Sequence, residues 1–593
     1  MKLRASRLEP GAGLVPVLTL AFLLGGPVRI AEAHPGTVPQ HEAEKRRVDG
    51  SAALAARDAT QAEHATLHLT VRDDRSGRPA PALVRVTRLG GSDATVRLVG
   101  WFERPAGWFS GPGEAQLAFA PGRYRIEATR GTDSAIARQE VVLADHGREV
   151  LVLTPRRFYD VQEHGLRSVN THLHLLVRQI RKMGVDLADR AEVDDYLRTV
   201  GASDGLDLVY VTYLTQPGGG VLSNDYTDED LAGLSNPATL FSGGQEHRHG
   251  GRRIKVTPPP PAPRGAGQPA YQSDDSKVSM SYGHVLLLGI PGRRLPASIG
   301  PGLADDPHVT DGTPLRAGMA YAQARGGGAI WCHGASGLER IPDWVGGMLQ
   351  AQNIYDGGNE GTFDTVYYPL LNAGLKVPFS TGTDWGIWDF SRVYGATREP
   401  VSSAGFLREL AAGRTFITNE PFLEFSVGDA RVGDTIPLGG PRALPVRGRA
   451  VGRSDFVRLQ VVMNGRVVRE VATRRVGDHF EAEIDGVVDV REPGWVALRI
   501  PPAQPYEIRA DYTGEGVSIL GKPVFAHTSP IYLSIAGRAI EAPEAWAKLA
   551  ATVAAALRQI DEFGTFRDEA ERAALRNIYL EAQRTLESMR TGK

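Results

Sequence analysis

Histidine is the main metal-ligating residue type of this chain, and its distribution along the sequence is uneven. The chain has 593 residues and 15 histidines, and eight of these histidines lie between His164 and His333. A single cysteine, Cys332, excludes an intramolecular disulfide and a cysteine-rich zinc module. Binding of a transition metal by this protein must therefore rest mainly on imidazole and carboxylate groups.

His172 and His174 form a His-x-His motif. Residues i and i+2 of a β-strand point to the same face, so both imidazoles can reach one metal ion. The motif is common, and a pair of structural histidines explains it equally well when it is taken alone. His247 and His249 have the same spacing, but they flank a charged, glycine-rich turn, and we expect them to be exposed.

Four further polar residues lie beside apolar runs that are typical of buried strands. Glu246 ends a Gly-Gly-Gln-Glu run, His284 opens an apolar run, His333 follows another, and Asp384 ends Thr-Gly-Thr-Asp. Taken singly, Glu246 can be a solvated charge and His284 a core histidine. Polar groups at the ends of buried barrel strands are more typical of catalysis. As an ordered set, the imidazoles and carboxylates predict two metal sites with a bridging carboxylate, suited to Zn²⁺, Mn²⁺ or Fe²⁺.

The elements that must position these groups follow from the periodicity of apolar residues. Residues 63–157 and 426–540 alternate with period two, which predicts an N-terminal and a C-terminal β-sandwich domain. Residues 158–425 alternate buried-strand runs with helical stretches, which is typical of a parallel sheet or barrel, and a Pro-rich insertion at 256–270 interrupts them. Residues 541–593 predict a helical hairpin in which Gly564 ends the first helix and Thr565 caps the second.

The N-terminus has the pattern of an export signal. Residues 1–33 combine a basic start, an apolar stretch and Ala31-Glu32-Ala33, which predicts a cleaved signal peptide followed by a linker at 34–62. A membrane anchor is the alternative, but the apolar run is short and Pro16 interrupts it. We therefore expect a periplasmic or secreted protein with no membrane span after cleavage. Lys plus Arg total 67 against 69 for Asp plus Glu, so this near-neutral chain has no charge excess for nucleic acid.

The ordered set resembles the polymerase and histidinol phosphatase (PHP) superfamily, and within it the CehA/McbA family of metallohydrolases. The resemblance extends over most of the mature chain. The matching motifs are Pro121-Gly122-Arg123-Tyr124, residues 368–374, Thr381-Gly382-Thr383-Asp384, Arg392-Val393-Tyr394, residues 413–421, residues 494–497 and residues 527–530.

The resemblance implies an α/β fold, with a PHP-like distorted (β/α)7 barrel at 158–425 flanked by the two β-sandwich domains and followed by the helical tail. It also implies ligands for two divalent ions (Zn, Mn or Fe). The first ion would be held by His172, His174, Glu246 and Asp384, and the second by Glu246, His284 and His333.

Departures from the family pattern concern a third metal. PHP enzymes with three metals bind the third one through three further histidines. The corresponding positions of this sequence are Ile180, the run Thr212-Tyr213-Leu214 and the run Asp384-Trp385-Gly386, and none of them contains a histidine. We expect Tyr213 and Trp385 to form an aromatic wall that favours an apolar leaving group. Val169-Asn170 replaces the usual Gly-Asp before the His-x-His motif, and Glu420 stands where the family usually has Gly.

These features predict an enzyme, a metal-dependent hydrolase that cleaves an ester, amide or carbamate bond of a small organic substrate. The family implies this class, since its name-giving members include a carbamate hydrolase. Glu246 and Asp384 are the expected catalytic residues, with Asp384 relaying a proton to the leaving group. Arg392 is a candidate for binding a substrate carboxylate or phosphate, with a structural ion pair as its alternative role.

Two other functions remain open from the sequence. The first is phosphoesterase activity, the commoner PHP chemistry. The second is an exported, non-catalytic binding protein with a structural metal site, since β-sandwich domains are typical of glycan or protein binding. The sequence leaves the oligomeric state open.

Overall fold

A computed structural model describes residues 65–90, 93–175, 185, 189–215, 222–223, 226–255, 277–293, 296–303, 308–356, 361–397, 401–503 and 516–591. The predicted signal peptide, the predicted linker, the Pro-rich insertion and Ile180 lie outside the described residues. The described chain is a mixed α/β protein.

Residues 65–153 form two sheets. The strands are β1 (Ala65–Val71), β2 (Ala82–Leu89), β3 (Ala94–Thr95), β4 (Phe102–Glu103), β5 (Phe109–Gly111), β6 (Glu114–Phe119), β7 (Gly122–Thr129), β8 (Ala137–Leu143) and β9 (Arg148–Leu153). One sheet has the order β6-β1-β9, and the other has the order β4-β5-β2-β7-β8 with β3 on β2. On β1, Leu67, Leu69 and Val71 are buried while their neighbours are not, as the period of two predicts.

The central part of the chain alternates strands and helices. Its strands are β10 (Leu166–His174), β11 (Leu208–Thr215), β12 (Leu222–Ser223), β13 (Leu240–Lys255), β14 (Lys277–Leu288), β15 (Ser298–Ile299), β16 (Gly328–Cys332), β17 (Ala351–Asn353), β18 (Phe379–Ser380), β19 (Asp384–Trp385), β20 (Arg392–Ala396) and β21 (Thr415–Thr418). Its helices are α1 (Arg190–Ser203), α2 (Asp228–Leu234), α3 (Arg316–Gln323), α4 (Arg340–Val345), α5 (Phe363–Val366), α6 (Tyr368–Asn372) and α7 (Ser403–Ala411).

The pairings of the central strands join them in one mixed sheet. From β10 they pass in parallel through β11 to β13, then antiparallel through β14 to β16, and again in parallel through β17 to β18. β19, which follows β18 closely in the chain, pairs in parallel with β10. The chain therefore brings the C-terminal ends of β10, β16 and β17 to the same region.

The antiparallel β14 corrects the expectation of a purely parallel arrangement. β13 and β14 pair along most of their length, from Gly244 opposite Leu288 to Lys255 opposite Lys277. Two neighbouring parallel strands must be joined by a crossover connection, whereas two neighbouring strands that follow each other directly in the chain run antiparallel. As a result, His284 reaches the centre from a strand that runs against its neighbours.

Local sequence signals begin several of these helices. Asp189 caps α1 by accepting hydrogen bonds from the backbone N–H groups of Ala191 and Glu192. Thr227 and Asp230 form a capping box at the start of α2. α1 and α3 bury apolar side chains in the same core as β11, β14 and β16, so the helices cover one face of the strands that carry the candidate ligands.

The C-terminal strands divide between two sheets. They are β22 (Phe422–Val427), β23 (Ala430–Arg431), β24 (Thr435–Leu438), β25 (Arg442–Gly452), β26 (Arg458–Met463), β27 (Arg466–Ala472), β28 (Arg474–Val476), β29 (His479–Val490), β30 (Gly494–Ile500), β31 (Ala526–Thr528) and β32 (Ile531–Ile535). One sheet has the order β23-β22-β25-β29-β28, and the other strands join the central sheet through the β21–β31 pairing.

Two long helices end the described chain, α8 (Pro543–Phe563) and α9 (Glu569–Thr591). α8 stops before Gly564, as predicted, but the cap of α9 is not Thr565. The Asp568 carboxylate accepts from the Glu571 N–H at 2.8 Å, while the N–H and hydroxyl of Thr565 bind Asp311. Among the described residues, no helix is long and apolar enough to cross a membrane.

Candidate metal centre

β10 places His172 and His174 on one face, and both side chains are fully buried. Leu173 between them belongs to the apolar core, as the alternation of a strand requires. The two Nε2 atoms lie 2.9 Å apart. The His-x-His prediction is thus matched by an arrangement in which both imidazoles present Nε2 to the same point.

Glu246 on β13 lies between two pairs of imidazoles. Its Oε2 lies 2.6 Å from His174 Nε2 and 3.3 Å from His172 Nε2. Its Oε1 lies 2.6 Å from His284 Nδ1 and 3.8 Å from His333 Nε2. The carboxylate therefore divides its two oxygens between the two pairs of imidazoles.

Asp384 completes the first group from β19. Its Oδ1 lies 3.4 Å from His172 Nε2 and 3.6 Å from His174 Nε2. Its φ of 59° is disfavoured for a residue with a side chain, and such conformations concentrate at functional sites. The Thr383 N–H donates to the His172 carbonyl and the Gly386 N–H to the His174 carbonyl, so β10 fixes both ends of this turn.

Two sets of donor atoms fit divalent cations. His172, His174, Glu246 and Asp384 offer atoms within 4.8 Å of one another, and so do Glu246, His284 and His333. Imidazole nitrogens and carboxylate oxygens suit Zn²⁺, Mn²⁺ or Fe²⁺. The buried groups can therefore hold metal ions, as the sequence predicted. A third grouping joins Cys332 to His172 and His333. Burial and the nearby carboxylates raise the pKa of the Cys332 thiol well above its usual value, which disfavours the thiolate that a metal requires.

The pKa values of the cluster depend on burial and on several ionisable groups that lie close together. Burial alone would lower the pKa of His172, but Asp384, Asp356 and Glu246 outweigh it and raise that pKa to about 9. Burial lowers the pKa of His174 to about 4. Burial also raises the pKa of Asp384 to about 7, against the opposing charges of His172 and His333.

Sequence reasoning missed Asp356, which orients two candidate ligands. Its Oδ2 lies 2.7 Å from His172 Nδ1 and 3.1 Å from His333 Nδ1, and it accepts from Asn353 Nδ2 at 2.8 Å. A carboxylate on Nδ1 fixes the ring and directs Nε2 toward a metal. Asp356 follows the buried strand β17, so the rule that singled out His333, a polar group after a buried strand, could have found it.

Further contacts hold the first imidazole pair. His174 Nδ1 donates to the carbonyl of Thr212 at 2.8 Å, which leaves Nε2 as the ligating atom. Asn170 accepts from the His172 N–H and donates to Thr383 Oγ1 at 2.8 Å. Asn170 therefore ties β10 to the turn that carries Asp384.

Of the two predicted aromatic residues, only Trp385 lies beside the centre. Its ring centroid is 5.4 Å from that of His174, and it packs with Leu214. Tyr213 pairs with Gln245, the neighbour of Glu246, so it points to the opposite face of the strands. There the Arg293 guanidinium lies 4.2 Å above the Tyr213 ring. The apolar wall is therefore Trp385 with Leu214, and the prediction for Tyr213 is wrong because of strand parity.

Arg392 takes its alternative, structural role. The guanidinium is buried and donates to Ser168 Oγ and to the carbonyls of Asp204 and Phe390. Ser168 precedes His172 by four residues on β10, or about 13 Å of extended strand. Arg392 therefore stabilises the other end of the strand and does not face the candidate ligands.

His247 and His249 are buried, which corrects the expectation of exposure. Their exposed fractions are 2% and 0%. The ring of His249 stacks on Tyr282 at 3.9 Å, and its Nδ1 lies 3.1 Å from Glu339 Oε1. The glycine-rich run belongs to the long strand β13, which packs inside the protein, and is not a surface turn.

Comparisons with known proteins leave the family undecided. No family model matches the chain, and no curated protein matches it. Among solved structures, it has a weak likeness to the β-glucuronidase of Bacteroides uniformis, with 10% sequence identity over 77% of this chain and a TM-score of 0.15. This chain spans 58% of that enzyme's length. A TM-score this low does not indicate a shared fold, so no inference about function follows from it.

Proposed function

We propose that this protein is an exported, binuclear, metal-dependent hydrolase of ester, amide or carbamate bonds. The observation that carries the proposal is the division of the Glu246 carboxylate between His172 and His174 on one side and His284 and His333 on the other. A bridging carboxylate is the ligand that holds two ions close together. Two-metal hydrolytic centres have ions about 3.5–4 Å apart.

A PHP-like distorted barrel flanked by β-sandwich domains is the fold that we propose for this chain. The series of pairings from β10 to β18 supports it, as does the position of His174 at the end of β10 and of His333 just after the end of β16. Catalytic groups of α/β barrels lie at the carboxyl ends of strands. Membership of the CehA/McbA family is part of the same proposal, and it rests on the motifs of the sequence.

Two divalent ions at this centre would supply Lewis acidity and lower the pKa of a water molecule toward neutrality. The residues of the chain orient and shield the reaction. Asp356 and the Thr212 carbonyl fix the rings of His172 and His174, and burial excludes bulk water from them. Asp384, beside the imidazoles of His172 and His174, is the carboxylate that we expect to accept a proton and release it to the leaving group.

The surroundings favour an apolar leaving group over a phosphate. Trp385 and Leu214 form an apolar face beside His174, and an aryl or alkyl group gains free energy by contacting it. Phosphoesterase activity is therefore the second candidate. A non-catalytic binding protein with a structural metal site is the third, since the two outer β regions are also compatible with binding.

Metal content and a substrate panel test the proposal together. After reconstitution with Zn²⁺ or Mn²⁺, we expect two ions per chain by elemental analysis, with turnover of aryl esters or aryl carbamates. The Glu246→Ala variant should lose both ions and the turnover. Turnover of phosphomonoesters alone would favour the phosphoesterase, and a chain that binds ions without any turnover would favour the binding protein.

A further inference from the structure

A large concavity lies away from the candidate metal centre. This groove has a volume of about 1850 Å³, and none of the six candidate ligands lines it. Leu166 and Arg167, at the start of β10, form part of one wall, whereas His172 and His174 lie toward the other end of that strand. The opposite wall comes from β22, β25 and β29. The groove is therefore separate from the proposed reaction.

Six arginines and five carboxylates line the groove, so its guanidinium groups exceed its carboxylates by one. Arg414 is paired with Glu409 at 3.5 Å, and Arg449 with Glu424 at 3.1 Å. Arg408 and Arg431 also line the groove, and among the described residues neither guanidinium forms an ion pair or a side-chain hydrogen bond.

These two unpaired cations come from segments that touch. A Cβ placed on Gly413, just after α7, would lie 3.5 Å from the Cα of Gly433. The backbone after the helix that carries Arg408 therefore contacts the turn that follows Arg431. An anion at this junction would meet positive charge from both segments. The groove thus has a place for a carboxylate or another anionic group.

Two buried hydroxyls line the groove without a hydrogen-bond partner in the described part of the chain. They are the hydroxyls of Tyr159 and Thr397, whose residues are 4% and 7% exposed. Burial raises the pKa of the Tyr159 hydroxyl, and the nearby Glu424 carboxylate raises it further. Buried polar atoms are normally satisfied, so this wall is suited to a ligand that both donates and accepts hydrogen bonds.

We infer that the groove binds an acidic oligosaccharide. Its volume exceeds the 300–1,000 Å³ or so of small-molecule sites, which favours a ligand of several units. Sugar hydroxyls can satisfy Tyr159 and Thr397, carboxylates can pair with Arg408 and Arg431, and the half-buried ring of Phe425 offers an apolar surface for a sugar face.

An extended peptide fits the same groove less well. Peptides that bind along a sheet pair with an open strand edge. The longer strands in the walls have neighbours on both sides, since β22 lies between β23 and β25, β25 lies between β22 and β29, and β20 lies between β10 and β21. The edge strand β23, which carries Arg431, has only two residues, so the walls offer an extended peptide little unpaired main chain.

Binding of defined oligosaccharides to the full chain tests this inference. The probes are a hexamer of galacturonic acid and, as the neutral match, a hexamer of glucose, both followed by isothermal titration calorimetry. We expect saturable binding of the acidic hexamer and at least tenfold weaker binding of the neutral one. The double variant Arg408→Gln/Arg431→Gln should weaken the acidic hexamer at least tenfold, and Thr397→Val should weaken both hexamers.

The matched control is Arg148→Gln/Arg442→Gln, which removes the same charge from exposed positions outside the groove and should leave binding unchanged. Metal content and hydrolytic turnover should be the same in both double variants, so a failure here is distinguishable from a failure of the proposed reaction. The inference is overturned by an absence of saturable binding at millimolar hexamer, by equal loss in the control, or by tighter binding of an acidic hexapeptide.

Discussion

Oδ2 of Asp356 lies 2.7 Å from Nδ1 of His172, and both side chains are fully buried. The same oxygen lies 3.1 Å from Nδ1 of His333. One carboxylate thus orients one imidazole of each donor set. The nearby cations of His333 and His172 hold the pKa of Asp356 far below its usual range, despite the opposing effect of burial, so it remains ionised.

The Asp356→Asn variant should weaken metal binding, because the amide is a poorer acceptor for both rings. Losses of contacts of this kind typically reduce metal affinity about 10–100-fold. Competition with a chromophoric chelator measures the affinity of the purified protein. Asp429→Asn, at an exposed turn, is the matched control. Equal affinities of wild type and Asp356→Asn would remove Asp356 from this role.

Removal of the ions should destabilise the wild-type protein. A ligand that binds only the folded state adds about 4 kcal/mol of stability at a free concentration of 1,000 times its dissociation constant. We therefore expect a chelator to lower the thermal unfolding midpoint of the wild type, measured by circular dichroism. In Glu246→Ala the chelator should have little effect, since this variant lacks the carboxylate shared by both donor sets. An equal shift in both proteins would place the stabilising ions elsewhere.

Shortening Trp385 should affect the substrate and leave the ions in place. Loss of one apolar contact in a substrate pocket costs about 1–3 kcal/mol of discrimination. Trp385→Ala should thus lower kcat/KM about tenfold or more for an aryl ester, with a much smaller loss for a short alkyl ester. Tyr213→Phe, on the opposite face of the strands, should behave as the wild type. A uniform loss for both esters would contradict the apolar wall.

Glu420 and Arg453 form a buried ion pair that connects two parts of the chain. The two atoms Glu420 Oε1 and Arg453 Nε are 3.2 Å apart, and Arg453 also donates to the carbonyls of Gly131 and Ser134. Breaking a buried pair from one side typically costs about 3–5 kcal/mol.

The Glu420→Gln variant should therefore lower the free energy of unfolding by an amount of this order in urea. Glu483→Gln, which breaks a more exposed contact with Arg449, should cost about 0–1 kcal/mol. Similar costs for the two variants would argue against a special contribution from Glu420.

His527 should make stability depend on pH. It is fully buried, its Nε2 accepts from the Tyr368 hydroxyl, and burial together with Arg499 lowers its pKa to about 3. The unfolded chain takes up a proton near pH 6.5, whereas the folded chain does not. The stabilisation is thus fully present above pH 6.5 and is lost as the pH falls toward 3, by at most about 1.4 kcal/mol per unit.

Urea unfolding at pH 7.5, 6 and 5 tests this dependence. The His527→Gln variant cannot titrate, so its deficit relative to the wild type should shrink as the pH falls. His68→Gln, at an exposed position of β1, should run parallel to the wild type. A constant deficit of His527→Gln over this range would contradict the predicted linkage.

The sequence alone determined the groups that depend on local spacing. The i, i+2 relation put His172 and His174 on one face of β10, and His333 followed directly from the end of β16. The end of α8 also depends on a local signal, because a glycine, Gly564, follows its last residue. The roles of Glu246, His284 and Asp384 were drawn from the family resemblance, and the donor sets that the structure brings together contain all three.

The tertiary structure decided what depends on pairing and on distant partners. Strand register put Tyr213 on the face away from Glu246, and the antiparallel pairing of β14 was not visible in the pattern of apolar residues. Asp356 and Arg392 acquire their roles from residues 184 and 188 positions away. Local spacing fixes which side chains share a face of one strand, but packing alone decides which faces meet, because side chains distant in sequence become neighbours only when the core is formed.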